Sequence, residues 1–220
     1  KIKKDLMTKL TIPCDIPQAL HAIFQENYET ITKKSERLFL FAADHKIEHL
    51  NPIDPQIFFE LAQNPDIGAF ATHVGLMARY GKQYPHINYI AKLNGKTNAL
   101  HNHDPLSELL WSVDDVVEFK KNSGLAIRGV GYTVYLGSEH ESYMLAQAAQ
   151  VVFQAHQHGL VAILWIYPRG ASVQHEHDAH LIAGAAGVAA SLGADFVKVK
   201  MPQKTAHLSR EQIMNLIITS

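Results

Sequence analysis

Six short, almost uninterrupted apolar runs recur along the chain, separated by stretches with helical character. They are "ERLFLFAADH" (36–45), "IGAFATHVG" (67–75), "INYIAKLNG" (87–95), "LAIRGVGYTVYLG" (125–137), "LVAILWIYPRG" (160–170) and "ADFVKVKMP" (194–202). A strand with one wet face alternates apolar and polar residues, whereas one covered on both faces does not; these runs therefore predict a parallel α/β sheet with helices on both sides. Between them, "DIPQALHAIFQENYETITKK" (15–34) predicts an opening helix with Asp15 as N-cap and Pro17 in the first turn. "VDDVVEFKKNSG" stops at Gly124, and "SEHESYMLAQAAQVVFQAHQHG" has Ser138 as cap, Glu141 three residues on and Gly159 as stop. "EHDAHLIAGAAGVAASLG" is suited by its small residues to lie close on a sheet, and "EQIMNLIITS" reads as a sixth helix.

At 220 residues and 47% apolar, the chain can bury a substantial core as one domain spanning 1–220, with a helical segment over 1–36 and the sheet from about residue 37. Twenty Lys and Arg against 21 Asp and Glu leave a net charge of −1, which offers no general attraction to nucleic acid or anionic lipid. A lone Cys14 excludes an intramolecular disulfide and fits a reducing compartment. No apolar stretch reaches the roughly 20 residues of a membrane helix, and no signal-peptide core is visible. A soluble cytoplasmic protein is the expectation.

Each apolar run ends in polar residues: "ADHKIEH", "THVG", "KLNG", "YLGS", "WIYPRG", "KVKMP". A site drawing on six strand ends is gathered more readily round the axis of a (β/α)8 (TIM) barrel than along an open doubly wound sheet, and no G-x-G-x-x-G follows the first strand. Only six strand–helix units are present, so the last two units of such a barrel are expected to be missing from this sequence, and the first residue, Lys1, is not Met.

In "ADFVKVKMP", Phe196, Lys198 and Lys200 share one strand face and Val197 and Val199 the other. If the first face is the barrel interior, Lys198 lies deep and Lys200 near the mouth. A lysine in a poorly solvated interior favours its neutral amine, which can attack a carbonyl and form a Schiff base. The alternative is that both are strand-end cations reaching water.

"GADFVKVK" resembles the Schiff-base strand of the class I aldolases related to deoxyribose-phosphate aldolase. With "AADHKIEH", "ILWIYPRG" and "GADFVKVK" in that order on strands one, five and six, residues 37 to 202 resemble the archaeal-type (DhnA-type) class I fructose-bisphosphate aldolases. The resemblance implies a glycolytic and gluconeogenic lyase, reversibly cleaving fructose 1,6-bisphosphate to dihydroxyacetone phosphate and glyceraldehyde 3-phosphate, as a homo-oligomer without a metal or other cofactor. It implies Lys198 as the imine-forming lysine, Tyr167 as the proton-transfer residue, Asp44 as the first-strand acid, and Trp165 and His49 as substrate-binding residues. Lys92, Arg169 and Lys200 are further candidates for holding a phosphorylated sugar, each with the simpler reading of a strand-end or loop-anchoring cation.

The first motif departs from the family pattern: Lys46 and Leu50 stand where glycines are usual, which bears on substrate identity more than on imine chemistry. Another phosphorylated ketose, or a barrel that binds without catalysis, are the competing functions. Fourteen histidines, including those of "HNHD" (101–104) and "HEHDAH" (175–180), offer a zinc-dependent mechanism as a rival, but no H-E-x-x-H spacing supports it. No metal requirement is expected.

Overall fold

The computed structural model describes residues 10–35, 37–50, 52–99, 103–203 and 209–220. A 3-10 turn (Gln18–Leu20) leads into α1 (His21–Thr32), followed by β1 (Leu40–Ala42), α2 (His45–Glu48) and α3 (Gln56–Ala62). Next come β2 (Ala69–His73), α4 (Val74–Tyr80), β3 (Tyr89–Lys92), and a small hairpin of β4 (Asn94–Gly95) with β5 (Glu108–Leu109). The chain continues through α5 (Val113–Ser123), β6 (Ile127–Leu136), α6 (Glu141–Gln157), β7 (Val161–Pro168), α7 (Ala179–Ser191), β8 (Phe196–Lys198) and α8 (Arg210–Ile218).

Six of these strands form one parallel sheet in the order β1-β2-β3-β6-β7-β8, curled into a half-barrel. The four inner strands β2, β3, β6 and β7 are buried on both faces, as continuous apolar runs require, whereas the outer strands β1 and β8 are half-buried to exposed. On the outer face Phe70, Tyr89, Val130, Tyr132 and Leu164 pack in one cluster with helix residues such as Phe59, Met144 and Ala185. On the inner face Ile90, Val161, Ile163 and Trp165 pack with Phe24 and Ile31 of α1. Burying each such α1 side chain contributes roughly 1.5–3 kcal/mol, so α1 is held by packing more than by its own propensity. It sits across the N-terminal ends of the strands: Asn27 Nδ2 donates to Gly159 O at 2.8 Å, and Arg128, at the start of β6, pairs with Glu26 at 2.9 Å. With α1 at that end, the polar residues at the opposite, C-terminal strand ends are left to build a site.

Several boundaries differ from the sequence expectation. Asp15 does not cap α1, which begins six residues later after the 3-10 turn; its carboxylate instead bonds His156 Nδ1 at 2.7 Å. Ser138 does not cap α6 either. Its Oγ donates to Pro105 O and accepts from His140 N, and the Glu141 carboxylate turns back to Gly137 N, so the helix starts only after this turn. The stops hold: Gly124 and Gly159 adopt φ of +70° and +63°, a backbone conformation that Gly takes without strain. α7 is capped by Asp178, whose carboxylate accepts from Leu181 N. β1 and β8 are three residues each, shorter than their apolar runs, because each has a partner strand on one side alone among the described residues.

Candidate active site

At the C-terminal strand ends a cavity of about 140 Å³ is lined by Asp44, Glu48, His73, Lys92, Tyr167 and Lys198, with Asn94, Thr133 and Tyr135 completing much of its wall. All six sheet strands, or the turns directly after them, contribute. A larger cavity of about 540 Å³ lies at the N-terminal ends of β2 and β3, among Gln63, Asn64, Gln83 and His86, and gathers none of these groups.

Lys92 is the buried cation of the site, 3% exposed. Its Nζ donates to Asn94 Oδ1 at 3.0 Å and Asn94 O at 3.3 Å, lies 3.6 Å from Asp44 Oδ2, and stands 5.4 Å from the Trp165 ring centroid. Burial pushes its pKa down, the Asp44 and Glu48 carboxylates resist, and the nearby Lys198 charge adds to the lowering. Asn94 is the hub that makes this burial tolerable: its Nδ2 donates to Ser107 O and Thr133 O while its Oδ1 also accepts from Thr133 N. His73 lies next to it, with Nε2 3.2 Å from Asn94 O, so that nitrogen carries the proton and donates. Burial, then the Lys92 charge, lower the His73 pKa to about 4, and the ring is neutral near pH 7.

Tyr167 and Tyr135 stand side by side on neighbouring strands, ring centroids 6.4 Å apart. Burial raises both phenols well above the usual tyrosine value, and the negative charge of Asp44 reinforces this at Tyr167 and that of Glu48 at Tyr135. Tyr167 is thus held as a neutral proton donor.

Of the residues singled out from sequence, Lys198, Tyr167, Asp44 and Lys92 are brought together in this cavity. Lys198 is not poorly solvated: it is exposed, because among the described residues β8 pairs with β7 alone and its other flank opens on a groove of about 420 Å³ facing Leu40 and Ala42 of β1. The fully desolvated lysine is Lys92. Trp165 lies level with Lys198 in the strand register but is buried under the cavity rather than in its wall. His49 is exposed beyond α2 and outside the cavity lining. Arg169 and Lys200 also lie outside it, both paired with Glu176.

His73, Asn94, Tyr135 and Glu48 were not singled out. Each nevertheless sits in a strand-end motif, "THVG", "KLNG", "YLGS" or "ADHKIEH", and inward spacing from the apolar core would have pointed to the first three. Among the described residues no group of three or more His, Cys, Asp or Glu side chains is arranged to hold a metal ion; His101 of "HNHD" lies outside them.

A model of the DeoC/LacD family aldolases matches residues 38–220. The chain belongs to that family. This DeoC/LacD member is 49% identical over 212 residues, 91% of its length, to the fructose-bisphosphate aldolase/6-deoxy-5-ketofructose 1-phosphate synthase of Methanocaldococcus jannaschii, of which it covers 67%. It spans about two thirds of the length of such relatives. Its structure superposes on a fructose-bisphosphate aldolase from Slackia heliotrinireducens with a TM-score of 0.93 and 40% identity, covering 99% of this chain and 72% of that one. An archaeal fructose-1,6-bisphosphate aldolase, solved with its catalytic Lys covalently bound to the carbinolamine intermediate, matches at TM-score 0.69 and 25% identity over 89% of this chain and 86% of its own.

Proposed function

We propose that this DeoC/LacD aldolase is a class I, Schiff-base fructose-bisphosphate aldolase, reversibly forming dihydroxyacetone phosphate and glyceraldehyde 3-phosphate. The observation that carries the reading is the convergence of Lys198, Tyr167, Asp44 and Lys92 on one cavity at the C-terminal strand ends. The protein's six strand–helix units, with α1, are read as one domain and part of a (β/α)8 barrel. A cytoplasmic, homo-oligomeric enzyme of glycolysis and gluconeogenesis fits the same reading.

In this mechanism the Lys198 amine adds to the substrate's C2 carbonyl. The neutral phenol of Tyr167 gives its proton to the carbinolamine hydroxyl, water leaves and an iminium forms. The resulting phenolate takes the C4 hydroxyl proton; the C3–C4 bond breaks, its electron pair enters the iminium to give an enamine, and the aldehyde departs. The phenol then returns the proton to C3, and water releases the ketone. Asp44, held by the Lys92 charge, orients the hydroxyl groups around the carbinolamine. The 49% identical relative, whose name couples aldolase activity with 6-deoxy-5-ketofructose 1-phosphate synthesis, motivates a second reading in which the same imine transfers a phosphorylated ketone to another acceptor.

The test is chemical trapping: the protein is incubated with dihydroxyacetone phosphate, reduced with borohydride and digested for mass spectrometry. An adduct on the peptide holding Lys198, absent in Lys198→Ala, is expected; no adduct on any lysine rejects imine catalysis. Acceptor aldehydes supplied one at a time then separate the two readings.

A further inference from the structure

The stretch "HEHDAH" contributes a carboxylate to the rim of the site. Arg169 leaves β7 with its backbone fixed, its N–H donating to Leu136 O at 2.8 Å. The following Gly170 approaches the Gly137 carbonyl so closely that a Cβ there would lie 2.1 Å from it. The guanidinium stands 5.7 Å from the ring centroid of Tyr135 and 3.8 Å from Glu48, both in the cavity wall. Its Nε is 3.4 Å from one carboxylate oxygen of Glu176, and the other oxygen of Glu176 pairs with Lys200 Nζ. One carboxylate therefore bridges two cations, and with Glu48 the four side chains carry no net charge.

We propose that Glu176 is a built-in stand-in for a substrate phosphate: it occupies Arg169 and Lys200 while the site is empty, and gives them up to the distal phosphate of a bound sugar bisphosphate. This rests on the sugar-phosphate reading above and adds how the site admits its ligand. Lys198, Tyr167, Tyr135 and Arg169 follow one another along the rim, so a sugar with C2 on Lys198 and its C4 hydroxyl on Tyr167 extends its far end toward Arg169. A phosphate carries more charge and more acceptor oxygens than a carboxylate, and a guanidinium binds both in the same forked geometry. Glu176 is 37% exposed and exchanges into water at little cost, whereas Asp44 and Lys92 are too buried to part so readily. The backbone beside it is tied down, His177 Nδ1 donating to Met201 O and Gln203 N to His177 O, so the exchange is a side-chain rotation. Once Glu176 swings away, Arg169, Lys200 and Glu48 keep a net charge of +1.

The experiment compares the full protein with Glu176→Gln in condensing dihydroxyacetone phosphate with glyceraldehyde 3-phosphate or with unphosphorylated glyceraldehyde. Glu176→Gln is expected to lower KM for the phosphorylated acceptor about three- to tenfold, the effect of removing one partly exposed competing charge, and to leave that for glyceraldehyde unchanged. Calorimetric titration with inorganic phosphate should show a parallel gain in affinity whether or not condensation is observed. An equal change for both acceptors, or phosphate affinity no higher in Glu176→Gln and in a second variant, Glu176→Ala, overturns the proposal. Borohydride trapping of dihydroxyacetone phosphate on Lys198 does not involve the distal phosphate, so its failure marks failure of the aldolase reading instead.

Discussion

The indole of Trp165 fills the space that Gly131 leaves on the neighbouring strand, where a Cβ would lie 2.2 Å from the ring carbon Cζ3. Trp165 in turn supports Lys92 from below and is register partner of Lys198. Gly131→Ala is therefore expected to destabilise the protein by about 1–3 kcal/mol through overpacking, read by urea denaturation. It should also reduce the yield of the Lys198 borohydride adduct in protein that remains folded. Unchanged stability and unchanged trapping would show that the indole is free to move aside.

Lys92→Met keeps most of the volume and removes the charge. Asp44 loses its ion pair and Asn94 Oδ1 one of its two donors. The expected result is a 10- to 100-fold loss in kcat/KM, about 1.4–2.8 kcal/mol of transition-state stabilisation. Steady-state kinetics on folded variant checks it, and a loss below twofold would remove Lys92 from the catalytic account.

Tyr167→Phe tests the division of labour in the cavity. If the phenol moves protons and Lys198 forms the bond, turnover should fall about 10²- to 10⁴-fold while a slow borohydride-trapped adduct persists on Lys198. Equal loss of adduct and turnover would mean that the variant no longer binds substrate.

Two histidines predict opposite limbs of the stability profile. His73 has its pKa lowered to about 4, so on acidification from 6.5 the unfolded chain takes up a proton that the folded one refuses, and stability falls by up to about 3 kcal/mol. His156 is fully buried between Asp15 at 2.7 Å and Asp195 at 3.3 Å. Burial opposes its charge, but the bonds and charges of Asp195 and Asp15 outweigh burial and raise its pKa. Its contribution is complete below the unfolded value and is lost as pH rises through the folded one. Urea denaturation from pH 4 to 9 should peak near 6.5, with His73→Gln flattening the acid limb and His156→Gln the alkaline limb; limbs that survive both substitutions would assign the profile to other groups.

The strand sequence was legible because continuous apolar runs such as "LVAILWIYPRG" leave little alternative to a doubly covered strand. The β4–β5 hairpin was not, since strands of two residues carry no periodicity, and α4 begins directly at Val74 where "THVG" reads as a strand end. Lys198, Tyr167 and Asp44 could be located from motif order. The desolvation of Lys92 could not, because it depends on Asn94 bonding Ser107, 13 residues away, and Thr133, 39 away. Likewise the pairing of Arg169 with Glu48 joins the two sides of the curled sheet, and spacing along the chain holds no trace of it.

Asn94 is followed by Gly95, a dipeptide prone to chemical ageing because glycine has no Cβ to hinder attack of its backbone nitrogen on the asparagine side-chain carbonyl. In the folded protein that carbonyl is occupied by Lys92 and Thr133, the amide nitrogen is anchored on two backbone oxygens, and the backbone is held in β4. Deamidation therefore waits on local opening. Conversion to aspartate would then turn the donors that face Ser107 and Thr133 into acceptors, so the damage would prevent the hub from closing again and each lapse in folding would be recorded irreversibly at this one residue.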